Sequence, residues 1–144
     1  MNTKEDSEGS ERSRKRILLI DDEPGLTLIM RLNLESTGAY EVREENCSTN
    51  AVESIYDFMP DLILLDVMMP DLDGADVIYQ IKNDPNIHNI PVVFHTATVR
   101  KTELESHGGL ISGFPFLAKP ATFDQVLAII EENLNKSESV GEKE

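Results

Sequence analysis

Acidic, hydroxyl and ammonium side chains stand at the ends of short apolar runs in this sequence. They are Asp21, Asp22, Asp66, Thr96 and Lys119. Three carboxylates held close together repel each other, and at least one tends to stay protonated unless a cation lies among them. Mg²⁺ suits a cluster of oxygen ligands without His or Cys, because it typically takes one or two carboxylates and a phosphoryl oxygen.

The same residue types can transfer a phosphoryl group. A carboxylate can act as the nucleophile toward phosphorus and form an aspartyl phosphate. The reaction otherwise needs mainly positioning and charge neutralisation, for which the ammonium group of Lys119 and the hydroxyl of Thr96 are suitable. The residues therefore predict a Mg²⁺-dependent phosphoryl site, provided that the fold brings them together.

The elements that must position these residues alternate along the chain. Residues 17–20, 62–65 and 91–96 have the continuous apolar character of buried strands, residues 40–44 alternate like an edge strand, and residues 114–118 form a fifth strand. Segments of helical period lie between them, which predicts a parallel sheet flanked by helices. We predict an α/β fold, a flavodoxin-like doubly wound sheet of order 2-1-3-4-5 with five helices.

Ligands of such open sheets bind outside the carboxyl ends of the strands. The five residues named above all stand at predicted strand ends, so the predicted fold gathers them in one shallow cleft. Among the helices, we predict that the first buries Leu28, Ile29 and Leu32, and that a short fourth helix covers residues 99–107. Three glycines and a proline within 106–115 predict an irregular segment there.

Composition limits the partners and the organisation of the chain. Asp and Glu number 27 against 13 Lys and Arg, a net charge of −14, which disfavours binding to nucleic acid or an anionic membrane. No apolar run approaches the ~20 residues of a membrane span, and the single Cys47 cannot form an intramolecular disulfide. We predict a cytoplasmic protein with a flexible tail at 1–15, one domain at 16–136 and a second tail at 137–144.

Four fragments of the chain, in this order, resemble the receiver domain of response regulators in two-component signalling, the CheY-like family. They are LLIDDEP at 18–24, LDVMMP at 65–70 followed by Asp73 and Gly74, PVV at 91–93 leading to Thr96 and Ala97, and LAKP at 117–120. Each fragment is weak evidence alone, but the four at suitable spacing are specific. The resemblance covers residues 16–134, nearly the whole predicted domain.

The resemblance implies a role for each matching site residue. Asp66 would be the phosphoacceptor, Asp22 a direct Mg²⁺ ligand and Asp21 a ligand acting mostly through water. The backbone carbonyl of Met68 would be the remaining protein ligand, and Lys119 would pair with the phosphoryl group. Thr96 would move toward that group, and Phe116 would be the aromatic switch residue that follows it.

The family also implies the partners. A sensor histidine kinase or a phosphotransfer protein would donate the phosphoryl group, and a downstream protein would read the state by direct contact. Such a domain is not an enzyme in the usual sense, because it only phosphorylates and dephosphorylates itself. Nothing resembling an output domain follows Leu134, so we expect either a stand-alone receiver or a piece of a longer regulator.

Two other functions remain open from the sequence. A Mg²⁺-dependent aspartyl-phosphate phosphatase is disfavoured, because such enzymes place both acids two residues apart on one strand, whereas Asp21 and Asp22 are adjacent here. A receiver-like adaptor that has lost switching is disfavoured by the complete set of acids, Thr96 and Lys119. His95 stands where the family usually has an apolar or small residue, and we predict a structural role for it.

Overall fold

The computed structural model of the chain describes residues 14–66, 74–97 and 114–143, which form one parallel sheet with helices on both faces. The strands are β1 Lys15–Ile20, β2 Tyr40–Glu45, β3 Leu62–Leu65, β4 Val92–Thr96 and β5 Phe116–Ala118. Their order in the sheet is β2-β1-β3-β4-β5, and every neighbouring pair is parallel. The predicted flavodoxin-like order is therefore confirmed.

Four α-helices lie within the described part of the chain. They are α1 Pro24–Ser36, α2 Ala51–Phe58, α3 Gly74–Lys82 and α4 Phe123–Lys143, and a 3₁₀ turn at Ser48–Asn50 precedes α2. The chain leaves α1 through Gly38, whose φ of 81° is a conformation that favours glycine. The predicted helix over residues 99–107 lies outside the described residues, as does most of the segment 106–115.

The strands bury side chains on both faces of the sheet, as their continuous apolar character predicts. Alternate residues such as Leu18, Ile63 and Phe94 pack in the cluster that includes α2 and α3. Their neighbours, such as Leu64 and Val93, pack in the cluster that includes α1 and α4. The central strands of the sheet therefore lie between two apolar layers, and their polar residues stand at the strand ends.

The prediction for the buried face of α1 is wrong. Leu28, Ile29 and Leu32 are 42%, 59% and 53% exposed. The helix instead buries Thr27, together with Met30 and Leu34. The hydroxyl of Thr27 bonds to Glu44 and Asn46, so a threonine is accommodated on the inner face beside Met30 and Leu34.

Helix α4 begins where its capping box predicts, but it ends later than the predicted domain boundary at residue 136. Thr122 and Gln125 form a reciprocal capping box, with the backbone N–H of each bonded to the side-chain oxygen of the other at 2.9 and 3.1 Å. The helix continues through residues 137–143, where we predicted a flexible tail. The division into domain and tails stays a prediction. None of the described helices combines the length and apolar composition needed to cross a membrane.

Candidate functional site

Strand register brings the predicted site residues together. Ile20 on β1 is paired with Leu65 on β3, and Leu65 is paired with Phe94 on β4. The next residues along these strands are Asp21, Asp66 and His95, so they follow one another across the carboxyl edge of the sheet. The ladder continues up to this point, because the backbone N–H of Asp66 donates to the carbonyl of Ile20 at 2.9 Å.

Three carboxylates converge at this edge. One oxygen atom from each of Asp21, Asp22 and Asp66 lies within 4.8 Å of the other two. Asp21 and Asp66 are each only 4% exposed, whereas Asp22 is exposed. Hard oxygen ligands without His or Cys fit Mg²⁺, and the open side at Asp22 leaves room for the waters that this ion keeps.

Lys119 provides positive charge to the same cluster. Its Nζ lies 2.6 Å from Oδ2 of Asp21, 3.0 Å from Oε1 of Glu23 and 3.4 Å from Oδ2 of Asp66. The Lys119 side chain is 13% exposed. Burial alone would lower the pKa of Lys119, but hydrogen bonds to Asp21 and Glu23 raise it overall, so the ammonium group stays protonated.

Both carboxylate oxygens of Asp21 accept hydrogen bonds. Its Oδ1 accepts a hydrogen bond from the backbone N–H of Glu23 at 3.1 Å, and its Oδ2 accepts the bond from Lys119. Burial raises the pKa of the Asp21 carboxyl, the bond from Lys119 lowers it, and the charge of Asp66 raises it again, for a net increase. A divalent cation among these acids would relieve the remaining cost of keeping Asp21 ionised.

Thr96 and Phe116 lie on the face of the sheet that packs against α2 and α3. Thr96 is 1% exposed, and its buried hydroxyl oxygen has no hydrogen-bond partner among the described residues. The ring of Phe116 stacks on Phe94, with centroids 5.4 Å apart and an angle of 30° between the planes. Phe94 and Thr96 are two positions apart on β4, so their side chains lie on the same face of the sheet.

Sequence reasoning missed two contributors to the site. Glu23 shares Lys119 with Asp21, and Asn46 at the end of β2 donates to the backbone carbonyl of Asp21 at 2.7 Å. Glu23 was visible as the third acid of the run that follows β1. Asn46 had no signal in the sequence, because an asparagine after an edge strand is an ordinary turn residue. The backbone carbonyl of Met68 lies outside the described residues.

The family of the chain follows from comparison with known proteins. Residues 17–131 match the family model of the response regulator receiver domain. The chain belongs to this family. Receiver domains are the signalling switches of two-component systems rather than a class of enzymes, and the matched range contains the acids, Thr96 and Lys119 described above.

Individual relatives agree with this assignment. Response regulator Rre1 from Synechocystis sp. is 30% identical over 128 residues, which are 85% of this chain and 53% of that protein. A receiver domain structure from Methanoculleus marisnigri is 32% identical, with a TM-score of 0.64 over 82% of this chain and 94% of that one. A CheY-like receiver structure from Methanospirillum hungatei has a TM-score of 0.77 at 23% identity, over 88% of this chain and 98% of that one. The chain spans about half the length of the curated relatives it matches.

In this receiver domain a cleft of about 630 Å³ extends from the acids toward the space between α1 and α4. Its polar wall includes Asp66, His95 and Lys119, and its apolar wall includes Met30 and Val126. His95 is 5% exposed, and its Nε2 has no hydrogen-bond partner among the described residues. Burial, with a contribution from the charge of Lys119, lowers the pKa of His95 to about 4, so the imidazole is neutral at pH 7.

Proposed function

We propose that this receiver domain accepts a phosphoryl group on Asp66 from a phosphohistidine of a sensor histidine kinase or a phosphotransfer protein. The observation that carries the proposal is the convergence of Asp21, Asp22 and Asp66 with Lys119 at one sheet edge. A cation beside a buried carboxylate that adjoins two further acids matches the needs of phosphoryl transfer, which are positioning and charge neutralisation.

The transfer exchanges one bond for another. An Oδ atom of Asp66 forms a bond to phosphorus, the bond between phosphorus and the donor imidazole nitrogen breaks, and the electron pair returns to the imidazole. The product is an acyl phosphate on Asp66. Hydrolysis later breaks the new bond, when water adds to phosphorus and inorganic phosphate leaves, and the Asp66 carboxylate is restored.

The residues divide this task according to their positions. Lys119 already contacts Asp66, and it would follow the phosphoryl oxygens once they carry the negative charge. Asp22 would hold Mg²⁺ directly, Asp21 would hold it mostly through water, and the Met68 carbonyl would complete the protein ligands. Bound Mg²⁺ supplies neutralisation of the charge that develops on the phosphoryl oxygens.

Thr96 and Phe116 would convert the modification into a signal. The hydroxyl of Thr96 is buried and has no hydrogen-bond partner among the described residues, so a phosphoryl oxygen on Asp66 would attract it. Its movement would disturb the side chains beside it, including the stack of Phe94 on Phe116. We propose that a downstream protein reads this change by contact in the cytoplasm, since a net charge of −14 disfavours direct binding to nucleic acid.

Intact mass spectrometry tests the proposal. The protein is incubated with Mg²⁺ and phosphoramidate, beside Asp66→Ala and the control Asp57→Ala, which removes an acid that is 60% exposed on α2. We expect a gain of one phosphoryl group in the wild type and the control, and none in Asp66→Ala. An equal gain in all three proteins would remove Asp66 from this role, and sustained turnover of p-nitrophenyl phosphate would favour a phosphatase instead.

A further inference from the structure

A continuous chain of hydrogen bonds connects helix α1 and the end of β2 to the acidic loop. Nε of Arg31 donates to Oε2 of Glu44 at 2.6 Å, and Oε1 of Glu44 accepts from the hydroxyl of Thr27 at 2.8 Å. The side-chain amide of Asn46 donates to the hydroxyl oxygen of Thr27 at 3.0 Å and to the backbone carbonyl of Asp21 at 2.7 Å. This series of hydrogen bonds therefore ends at the peptide group that joins Asp21 to Asp22.

Donors and acceptors in this chain are matched. The Thr27 hydroxyl has one proton, and Glu44 is its nearest acceptor, since the carbonyls of Pro24 and Glu23 lie at 3.2 and 3.4 Å. Its oxygen is then free to accept from Asn46. The side-chain amide of Asn46 in turn donates to Thr27 and to the Asp21 carbonyl. The donor and the acceptor of each bond are thus determined by the neighbouring bond in the series.

The hydrogen-bonded network is partly shielded from water, most fully at Thr27. Thr27 is fully buried, and the side chains of Glu44 and Arg31 are 19% and 32% exposed. Burial raises the pKa of Glu44, but hydrogen bonds from Arg31 and Thr27 outweigh this effect and lower the pKa overall. Glu44 is therefore ionised, and accepts both bonds, at neutral pH. Losing one member leaves its partner buried without a hydrogen bond, which is more costly than losing an exposed contact.

We propose that Asn46, Thr27 and Glu44 are positioning residues of the cation site, because they hold the peptide plane between Asp21 and Asp22. A peptide group is planar, so fixing the Asp21 carbonyl also fixes the direction in which the chain enters Asp22. Asp21 is also held by Glu23 and Lys119, whereas Asp22 is exposed. The network thus acts mainly on Asp22. This inference rests on the proposed function for the identity of the site.

Variants in the network separate positioning from general stability. Asn46→Ala removes both amide donors, and Thr27→Val removes the hydroxyl at nearly constant volume. Thr27→Ser keeps the hydroxyl. Ser36→Ala is the matched control, because it removes a hydroxyl of α1 that bonds to the nearby carbonyl of Asn33 and lies outside the network. Each protein is measured for Mg²⁺ affinity by amide NMR titration, for thermal stability, and for hydrogen exchange of the Glu23 amide without metal.

Asn46→Ala and Thr27→Val each remove two hydrogen bonds of the network. We expect each variant to weaken Mg²⁺ binding by roughly three- to tenfold, the equivalent of about one buried hydrogen bond, because part of the loss destabilises the fold itself and not the bound state. The Glu23 amide, which donates to Asp21, should exchange faster in both variants even without metal. Thr27→Ser should stay within about twofold of the wild type for Mg²⁺ binding, since it keeps the hydroxyl. Ser36→Ala should leave Mg²⁺ binding and Glu23 exchange unchanged.

Unchanged Mg²⁺ affinity and Glu23 exchange in Asn46→Ala and Thr27→Val, whatever their melting temperatures, would overturn the inference and leave the network a structural tie. A wild-type protein that binds no Mg²⁺ would overturn it as well. A wild-type protein that binds Mg²⁺ but gains no phosphoryl group would instead remove the proposed function. In that case the Mg²⁺ titrations of Asn46→Ala and Thr27→Val would still test the positioning role.

Discussion

Lys119 and Asp21 form a buried ion pair across the carboxyl edge of the sheet, with 2.6 Å between Nζ and Oδ2. The two residues are 98 positions apart in the chain. The same ammonium group lies 3.4 Å from Asp66, so it compensates two acids that are each almost fully buried. In the metal-free protein this cation therefore stabilises an arrangement of acids that would otherwise repel each other.

Replacing Lys119 by Met should expose that repulsion. The variant leaves Asp21 and Asp66 buried without this counter-charge, and we expect the free energy of unfolding to fall by on the order of 3 kcal/mol. Saturating Mg²⁺ should restore a large part of the loss, because the divalent ion supplies the missing positive charge. Urea unfolding with and without Mg²⁺ measures both effects.

The matched control is Lys136→Met, which removes the same charge from an exposed pair with Glu132 on α4. We expect it to change stability by no more than about 0.5 kcal/mol, with or without Mg²⁺. If Lys119→Met were as stable as the wild type without metal, the ion pair with Asp21 would be no more than a surface contact.

Asp22 should govern the response of the fold to metal. Mg²⁺ at ten times its Kd stabilises a protein that binds it only when folded by about 1.4 kcal/mol. Asp22→Asn should lose more than half of this increment, while its metal-free stability should stay within about 0.5 kcal/mol of the wild type, because Asp22 is exposed. Chelation of the metal should make the two proteins alike in thermal unfolding.

Asp57→Asn is a suitable control for Asp22→Asn, since it removes one negative charge from an exposed side chain on α2. Mg²⁺ should stabilise it as much as the wild type. A similar loss in both variants would show that Mg²⁺ responds to the overall acidity of the chain and not to a site at Asp22.

The parts of the fold that sequence predicted best are those with one dominant physical signal. Residues 62–65 are continuously apolar, so they had to be buried on both sides, and the residue after them had to stand at the edge of the sheet. A parallel α/β sheet gathers such ends on one side. For that reason the convergence of Asp21, Asp66 and Lys119 was predictable before any distance was known.

The rest depended on contacts between segments that local patterns do not contain. The rotation of α1 was mispredicted because Thr27 has its partners on β2 and after it, in Glu44 and Asn46. The periodicity of apolar residues does not predict that a threonine lies on the buried face of a helix. Likewise, residues 40–44 are predicted to form an edge strand with one face in water, but Glu44 on that strand also accepts a hydrogen bond from Thr27 of α1.

Thr96→Val should stabilise the unmodified protein and impair its chemistry. The Thr96 hydroxyl is buried without a hydrogen-bond partner among the described residues, so a methyl group in its place should raise the free energy of unfolding by about 1 kcal/mol. Phosphorylation by phosphoramidate should slow by roughly tenfold, because a bond to a charged phosphoryl oxygen is lost. Chemical denaturation and intact-mass time courses measure these opposite changes.

Thr96→Ser keeps the hydroxyl and provides the comparison. It should phosphorylate at a rate close to the wild type and should not gain the stability of the valine variant. If Thr96→Val were destabilised, the hydroxyl would have a favourable contact in the unmodified protein, and the argument that it awaits a phosphoryl oxygen would fail.

His95 should make the fold sensitive to mild acid. Burial lowers its pKa from 6.5 to about 4, so between these values the unfolded chain binds a proton that the folded protein does not. Stability is therefore lost as the pH falls through this window, and His95 alone should contribute a loss of about 2 kcal/mol between pH 7 and pH 5. In His95→Val this part of the pH dependence should vanish, whereas the contribution of the acids stays.

The difference between the two proteins at the two pH values isolates the histidine, because the other titrating groups are common to both. Urea unfolding at pH 7 and pH 5 gives the four free energies required. His88→Gln is the control for loss of an imidazole, since His88 lies in the turn between α3 and β4, outside the site. An equal loss of stability in the wild type and in His95→Val would mean that the imidazole of His95 is protonated within the fold, which would place a second positive charge beside Lys119.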